Sequence, residues 1–156
     1  MLIDLTTFTT ANRTNTDEKF QEVTTQTIVH DVIKVIKSAF DLSLIDLAKY
    51  QSIWELNQTE KISYFTILTK NQIPVSTGNL YFEPELAIID DIATHSDHQK
   101  QGYAKEMLIH LLKQAKQANY QYAGLVATPH GLPLYQKLGF KKQNLYFNVY
   151  TMHYPK

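Results

Sequence analysis

Apolar residues recur along this chain with two different periods, and the places where the period changes divide it into elements. From Thr25 to Phe40, the residues Ile28, Val29, Val32, Ile33, Ile36, Ala39 and Phe40 form one stripe at helical spacing, although their β-branched content pulls toward strand. Ser43 is placed to cap a second helix to about Leu56, with Asp46 in its first turn and Leu44, Leu47, Ala48 and Trp54 facing inward. Ile62–Thr69, Ile73–Tyr81 and Leu86–Thr94 have strand length and are separated by Lys70-Asn71-Gln72 and Glu83-Pro84-Glu85, which predicts an antiparallel meander. Ala104, Met107, Leu108, Leu111, Leu112 and Ala115 then return to helical spacing. That helix leads into a strand over Tyr122–Ala127, a crossover long enough for parallel pairing. A short helix is expected from Pro129 to Leu138, closed by Gly139 in a left-handed conformation, and one or two strands over Lys141–Tyr154. Met1–Phe8 is a weakly patterned first strand, and the polar stretch Thr9–Phe20 reads as a loop. The order predicts an α+β fold with a mixed, mainly antiparallel central sheet flanked by helices.

Composition narrows the chemistry. A chain of 156 residues is one domain by length, and its 44% hydrophobic and 19% charged residues give an ordinary globular balance. Fifteen basic and fifteen acidic side chains leave no net charge, which argues against a nucleic-acid partner bound over a broad basic face. Without cysteine there is no disulfide, no thiolate metal site and no cysteine-acyl intermediate. The N-terminus lacks the pattern of a signal peptide, and no apolar run approaches the roughly twenty residues that span a bilayer, so no membrane association and a cytoplasmic location are expected. His95-x-x-His98 beside Asp97, Asp90 and Asp91 is too loose for a metal centre, and these histidines are expected in solvent; no metal is expected. Neither a Gly-Lys-Ser/Thr phosphate loop nor a Gly-x-Ser-x-Gly elbow is present.

What remains is the turn between the third meander strand and the long helix, Gln99-Lys100-Gln101-Gly102-Tyr103-Ala104. A glycine there lets the backbone approach a ligand closely. The first amides of the helix have no partner within it and carry its positive dipole end, so the turn suits a phosphate or pyrophosphate. Glycine at such a turn also has a purely conformational use. A second segment, Leu134-Tyr135-Gln136-Lys137-Leu138-Gly139-Phe140, follows the Tyr122–Ala127 strand and the turn Thr128-Pro129-His130.

With these two segments in this order, the chain resembles the GNAT superfamily of acyl-CoA-dependent N-acetyltransferases. Gln99, Gly102 and Ala104 fill that family's pyrophosphate loop, Gln/Arg-x-x-Gly-x-Gly/Ala, and Leu134 to Phe140 match its Leu-Tyr-x-Lys-Leu-Gly-Phe segment residue for residue. The resemblance covers residues from about Lys61 onward and implies a GNAT-like fold. It further implies an acetyl-CoA-binding core over 61–156 and a helical acceptor-side region over 1–60.

The resemblance implies acetyl transfer from acetyl-CoA to a primary amine of a small molecule or peptide by direct attack. An alkyl amine titrates near pH 10 and a thiol at about 8.5, so both proton transfers gain from a positioned group. Tyr135 holds the position that supplies a proton to the coenzyme A sulfur. Ile92, Ala93 and Thr94 hold positions whose backbone pairs with the pantetheine arm, with an N–H near Ile92 and Ala93 receiving the oxyanion. Gln99, Lys100, Gln101, Gly102, Tyr103 and Ala104 are expected around the pyrophosphate. Two positions depart from the family pattern. Thr128 stands seven positions before the tyrosine, where many members carry asparagine, and Gln101 replaces glycine, arginine or lysine.

A base for the amine has several candidates, Asp90, Asp91 and Glu83 first, with Glu85 and His95 nearby. Strand alternation puts Asp90 on the face of Ile88 and Ile92, and Asp91 on the face of Ile89 and Ala93, so only one of the two points at an acceptor. A salt bridge or sheet-edge role is the alternative for either, and transfer through water chains needs no dedicated base. Tyr146, Phe147, Tyr150 and Tyr154 read as a strand on the core, with a homodimer contact as the alternative use. A non-catalytic acyl-CoA-binding sensor or interaction module is the rival reading from another class, and a longer acyl chain, needing room near Ala93 and Ala127, a third.

Overall fold

The structure, a computed structural model, describes residues 1–10, 18–24, 26–40 and 63–143, with single helical positions at 48, 52 and 55. Its strands are β1 (Leu2–Asp4), β2 (Glu18–Glu22), β3 (Ser63–Lys70), β4 (Ile73–Phe82), β5 (Ala87–Thr94) and β6 (Tyr122–Gly124). The helices are α1 (Gln26–Phe40), α2 (Tyr103–Gln117) and α3 (Leu132–Lys137), with a 3₁₀ turn over Ser96–His98. One sheet has the order β1-β6-β5-β4-β3-β2. All neighbours are antiparallel except β5 and β6, which run parallel because α2 carries the chain across between them. The meander β3–β4–β5 and the mixed α+β sheet are as the hydrophobic pattern predicts.

Two apolar clusters flank the sheet. On one side Met107, Leu108, Leu111 and Leu112 of α2 pack on Leu68, Leu80, Ile89 and Ala123. On the other, Val29, Val32, Val35 and Ile36 of α1 pack on Phe65, Ile67 and Ala93. Neighbours such as Ile67 and Leu68 fall in different clusters, the signature of a sheet covered on both faces. Each fully buried branched side chain contributes about 1.5–3 kcal/mol. Gly78 allows close approach on the α2 side, because a Cβ there would meet Ile92 Cδ1 at 2.7 Å and Leu111 Cδ1 at 2.9 Å.

Several elements differ from expectation. Part of the stretch Thr9–Phe20, read as loop, belongs to β2, an edge strand whose ladder with β3 runs from Glu18↔Lys70 to Glu22↔Thr66. Its side chains are polar except Phe20 and mostly exposed, so no alternation announces it; the backbone ladder and Phe20 stacked on His110 (4.1 Å, 2°) hold it. The strand expected over Tyr122–Ala127 ends at Gly124, and the helix expected from Pro129 begins at Leu132. Gly139 closes α3 with φ +99°, as expected. Of the helix expected over Ser43–Leu56, Ala48, Ser52 and Glu55 are helical, and the Ser52 hydroxyl donates to the Ala48 carbonyl at 3.1 Å. The rest of that helix lies outside the described residues. So do the C-terminal aromatics Tyr146, Phe147, Tyr150 and Tyr154, while Lys141 bridges to Leu2.

Candidate active site

Parallel strands β5 and β6 pair and then part. Their register covers only Ala87↔Ala123 and Ile88↔Gly124. Beyond that, β5 continues to Thr94, whereas the chain leaving β6 turns aside and Leu125 N–H donates to the Met1 carbonyl at 3.0 Å. The β5 edge from Ile89 to Thr94 that faces away from β4 therefore has no strand partner among the described residues. Such a fork accepts an extended ligand as an added strand, held by main-chain hydrogen bonds.

Within the fork β5 carries a bulge. Asn79 pairs with Asp90 and Thr77 with Ala93, so Asp91 and Ile92 together oppose Gly78. Asp91 takes the left-handed φ of +52°, and its N–H donates to its neighbour's carboxylate, Asp90 Oδ1, at 2.9 Å. This corrects the simple alternation expected of the strand. Ile92 packs with Ile89 in the α2 cluster, while Ala93 joins the α1 cluster; Asp90 and Ile92 consequently do not share a face, because the extra residue shifts the pleat by one.

At the end of β5 the chain passes through His95 and the 3₁₀ turn into the Gln99–Ala104 loop. Gln99 Nε2 donates to the Thr94 carbonyl and Gln101 Nε2 to the Asp97 carbonyl, both at 3.4 Å, fastening the loop to the strand and the turn. Lys100 (φ +60°) and Gly102 (φ +95°) are left-handed, and Gly102 is the N-cap of α2 with no side-chain cap. Glu106 N–H donates to the Gly102 carbonyl at 3.1 Å, so the amides before it point out of the helix end. A Cβ on Gly102 would meet nothing within 4 Å, which leaves open space over these amides. Tyr103 is buried with Lys70 Nζ 5.7 Å from its ring centre, and Ala104 is half-buried beside it. The fifteen-residue helix supplies the positive dipole end.

Across the fork stands α3. Thr128 closes the turn into it: its hydroxyl accepts from Gly131 N–H at 3.2 Å and its carbonyl from Leu132 N–H at 3.0 Å. Pro133, without an N–H to lose, fits the first turn. Tyr135 is 8% exposed and meets Phe140 edge-on at 6.0 Å. Its ring lies over Gly131, where a Cβ would come within 2.8 Å of the hydroxyl oxygen. Burial first, then the charge of Asp90, push the Tyr135 pKa above its ordinary value, so the phenol is held protonated.

The carboxylates are distributed unevenly. Asp90 is exposed and lies where the strands part, and Asp91 is half-buried in the bulge. Glu83 and Glu85 lie in the exposed turn before β5, at the other end of the strand from the loop. His95 Nδ1 accepts from Asp97 N–H at 3.3 Å, and His98 lies edge-on to His95 and to Tyr103. No group of three His, Asp or Glu residues among the described residues is arranged to hold a metal ion. Sequence reasoning missed Asn79 and Tyr81 on β4. Burial, with Asp91 and Asp90 beside it, lifts the Tyr81 phenol to about 12. Alternation through Asn79-Leu80-Tyr81 was the available signal, since it sets a polar residue on the face of Thr77, which opposes Ile67 and Ala93 of the α1 cluster.

The model of the acetyltransferase (GNAT) family matches residues 30–140. A predicted acetyltransferase from Clostridium acetobutylicum, solved with acetyl-CoA, is 17% identical with a TM-score of 0.71, over 85% of this chain and 96% of that one. Glucosamine-6-phosphate N-acetyltransferase from Arabidopsis thaliana is 14% identical with a TM-score of 0.67, over 85% and 97%. AAC(6′)-Iy in complex with the bisubstrate analog CoA-S-monomethyl-acetylneamine is 10% identical with a TM-score of 0.71, over 86% and 99%. At these identities the likeness is one of fold. Among curated proteins none matches the sequence.

Proposed function

Since the chain belongs to the acetyltransferase (GNAT) family, we propose that it transfers the acetyl group of acetyl-CoA to a primary amine of a small molecule or peptide by direct attack. The observation that carries this reading is the fork: a β5 edge without a strand partner among the described residues, which ends in the open amides of α2 and is faced by a buried, protonated tyrosine. Acetyl-CoA supplies a thioester acyl group. The edge at Ile92, Ala93 and Thr94 holds the pantetheine arm through the backbone, and the bulge leaves a main-chain N–H near Ile92 and Ala93 to face the reacting carbonyl oxygen. Gln99, Lys100, Gln101, Gly102, Tyr103 and Ala104 hold the pyrophosphate, with charge–dipole contacts of about 0.3–1 kcal/mol each. Tyr135 holds a proton on its hydroxyl oxygen and gives it to the departing sulfur. Asp90 is the best-placed of the candidate bases to take the amine proton, ahead of Asp91 and Glu83, because it stands at the parting of the strands and its charge reaches the Tyr135 hydroxyl.

The Thr128 hydroxyl oxygen accepts from Gly131 N–H, which leaves its O–H to donate to a cofactor arm where many members of the family carry an asparagine amide. The second reading is an acyl-CoA-binding module without turnover. Because the activity consumes acetyl-CoA, the protein is assigned to the cytoplasm; no described helix is long and apolar enough to cross a membrane. A panel of small amines and peptides incubated with acetyl-CoA and followed by release of free coenzyme A tests the proposal. Amine-dependent release is the expected result. Binding of acetyl-CoA with no release on any amine would leave the binding module instead.

A further inference from the structure

Asn79 is a buried polar residue that the fork's chemistry has not yet used. It is wholly buried in the middle of β4, between Phe65 on β3 and Asp90 on β5, and among the described residues neither its Oδ1 nor its Nδ2 has a hydrogen-bond partner. Buried amides almost always find partners, and one left without any is destabilising. The other buried polar residues of this strand are satisfied: Ser76 donates to the Ala93 carbonyl at 2.7 Å, and Thr77 donates to the Thr66 carbonyl at 2.9 Å. The exception stands directly across from the carboxylate at the parting of the strands. Two positions along the same face is Tyr81, whose hydroxyl feels the Asn79 amide as well as Asp90 and Asp91. The amide is therefore beside that hydroxyl without the geometry of a hydrogen bond.

We propose that Asn79 is a positioning residue on β4, behind Asp90 at the mouth of the fork, whose amide closes on the Tyr81 hydroxyl and the Asp90 carboxylate when the acceptor amine enters beside Asp90. The amide has both donors and an acceptor, so it can donate to the carboxylate and accept from the phenol at once. In that role Asn79 governs how the acceptor is held and makes no contact with the Gln99–Ala104 loop, since its cross-strand partner is Asp90. The inference rests on the acetyltransferase reading.

The test compares wild type, Asn79→Leu, Tyr81→Phe and the double variant, measuring Tm, acetyl-CoA binding by titration, and KM and kcat with the best amine of the panel. Asn79→Leu removes the unpartnered amide, so Tm is expected to rise by several degrees while acetyl-CoA affinity is unchanged. KM for the amine is expected to increase about tenfold or more, the scale of a lost hydrogen bond to a charged group, with a smaller change in kcat. Tyr81→Phe should raise KM similarly, and the double variant should be little worse than either single one, since the two act through one contact. A more stable Asn79→Leu with wild-type KM, or fully additive KM effects, overturns the inference. If Asn79→Leu does not fold, the smaller Asn79→Ala carries the same KM expectation and the same refutation. A wild type that turns over no amine overturns the acetyltransferase reading and this inference with it. Turnover that ignores Asn79 overturns this inference alone.

Discussion

The Gln99–Ala104 loop at the end of the fork and the β4–β5 pair beside it are built from different materials. The Gln99–Ala104 side is made of backbone: left-handed Lys100 and Gly102, open amides and a helix dipole. Its side chains, Gln99 and Gln101, mainly fasten the loop to Thr94 and Asp97. The β4–β5 pair offers side chains, Asn79 and Tyr81 on β4 with Asp90 and Asp91 on β5, set on a sheet whose register a bulge has shifted. A backbone site binds whatever shares its charge and shape and needs only a few residue types to form. A side-chain site discriminates and can change at every position. The contrast fits the proposed transfer, in which backbone holds acetyl-CoA and side chains select the acceptor.

That contrast can be broken at the tyrosine that joins the two sides. Tyr135→Phe keeps the buried ring and removes only the hydroxyl that carries the proton, so kcat is expected to fall by about 10²–10⁴-fold, the range for a positioned acid, with acetyl-CoA affinity retained. Full turnover in this variant would remove Tyr135 from the chemistry. Gly131→Ala probes the same group more gently. Its Cβ would stand 2.7 Å from the Tyr135 ring, so the ring must move, and a displacement of that size is expected to lower kcat by about 10–100-fold. Steady-state kinetics on the purified variant reads this directly, and a wild-type kcat would mean that the ring's position is not critical.

The smallest effect concerns neither side, and so tests whether the edge beyond them is independent. His110 stacks on Phe20 of β2 and lies 3.2 Å from the Tyr64 hydroxyl, and burial, then Lys113, lowers its pKa from 6.5 to about 4. The fold favours the neutral ring. Its stabilising contribution is complete above pH 6.5 and is lost as the pH falls through that value toward about 4, because the unfolded chain takes up the proton first. Wild-type Tm is therefore expected to drop more steeply over this interval than that of His110→Phe, while acetyl-CoA affinity near neutral pH is the same in both. Parallel Tm curves would show that the ring titrates normally.

Legibility in the sequence followed the same division. The meander, α1, α2 and the parallel crossover were readable because their apolar residues recur at one period over many residues, as Met107, Leu108, Leu111 and Leu112 do. The Gln99–Ala104 loop and the Tyr135 segment were readable because backbone geometry demands glycine at Gly102 and Gly139, both left-handed. The β2 strand was not, since an edge strand with Glu18, Lys19, Gln21 and Glu22 in solvent has no apolar face to display. Nor were the faces of Asp90 and Asp91, because a bulge at a non-glycine residue leaves no mark on the pattern. Asn79 and Tyr81 escaped notice for a related reason: only the fold shows that one is buried without a partner and the other is flanked by two carboxylates.

The most direct measurement is isothermal titration of the purified protein with acetyl-CoA and with coenzyme A, beside Gly102→Glu. Gly102 has φ +95°, so any side chain is strained there, and a carboxylate would repel the pyrophosphate over the open amides. The account predicts saturable binding of both ligands by the wild type, weakened by about 100-fold or more in a Gly102→Glu that still melts cooperatively. Wild-type protein that binds neither ligand, or a folded Gly102→Glu that binds as well as the wild type, would contradict it.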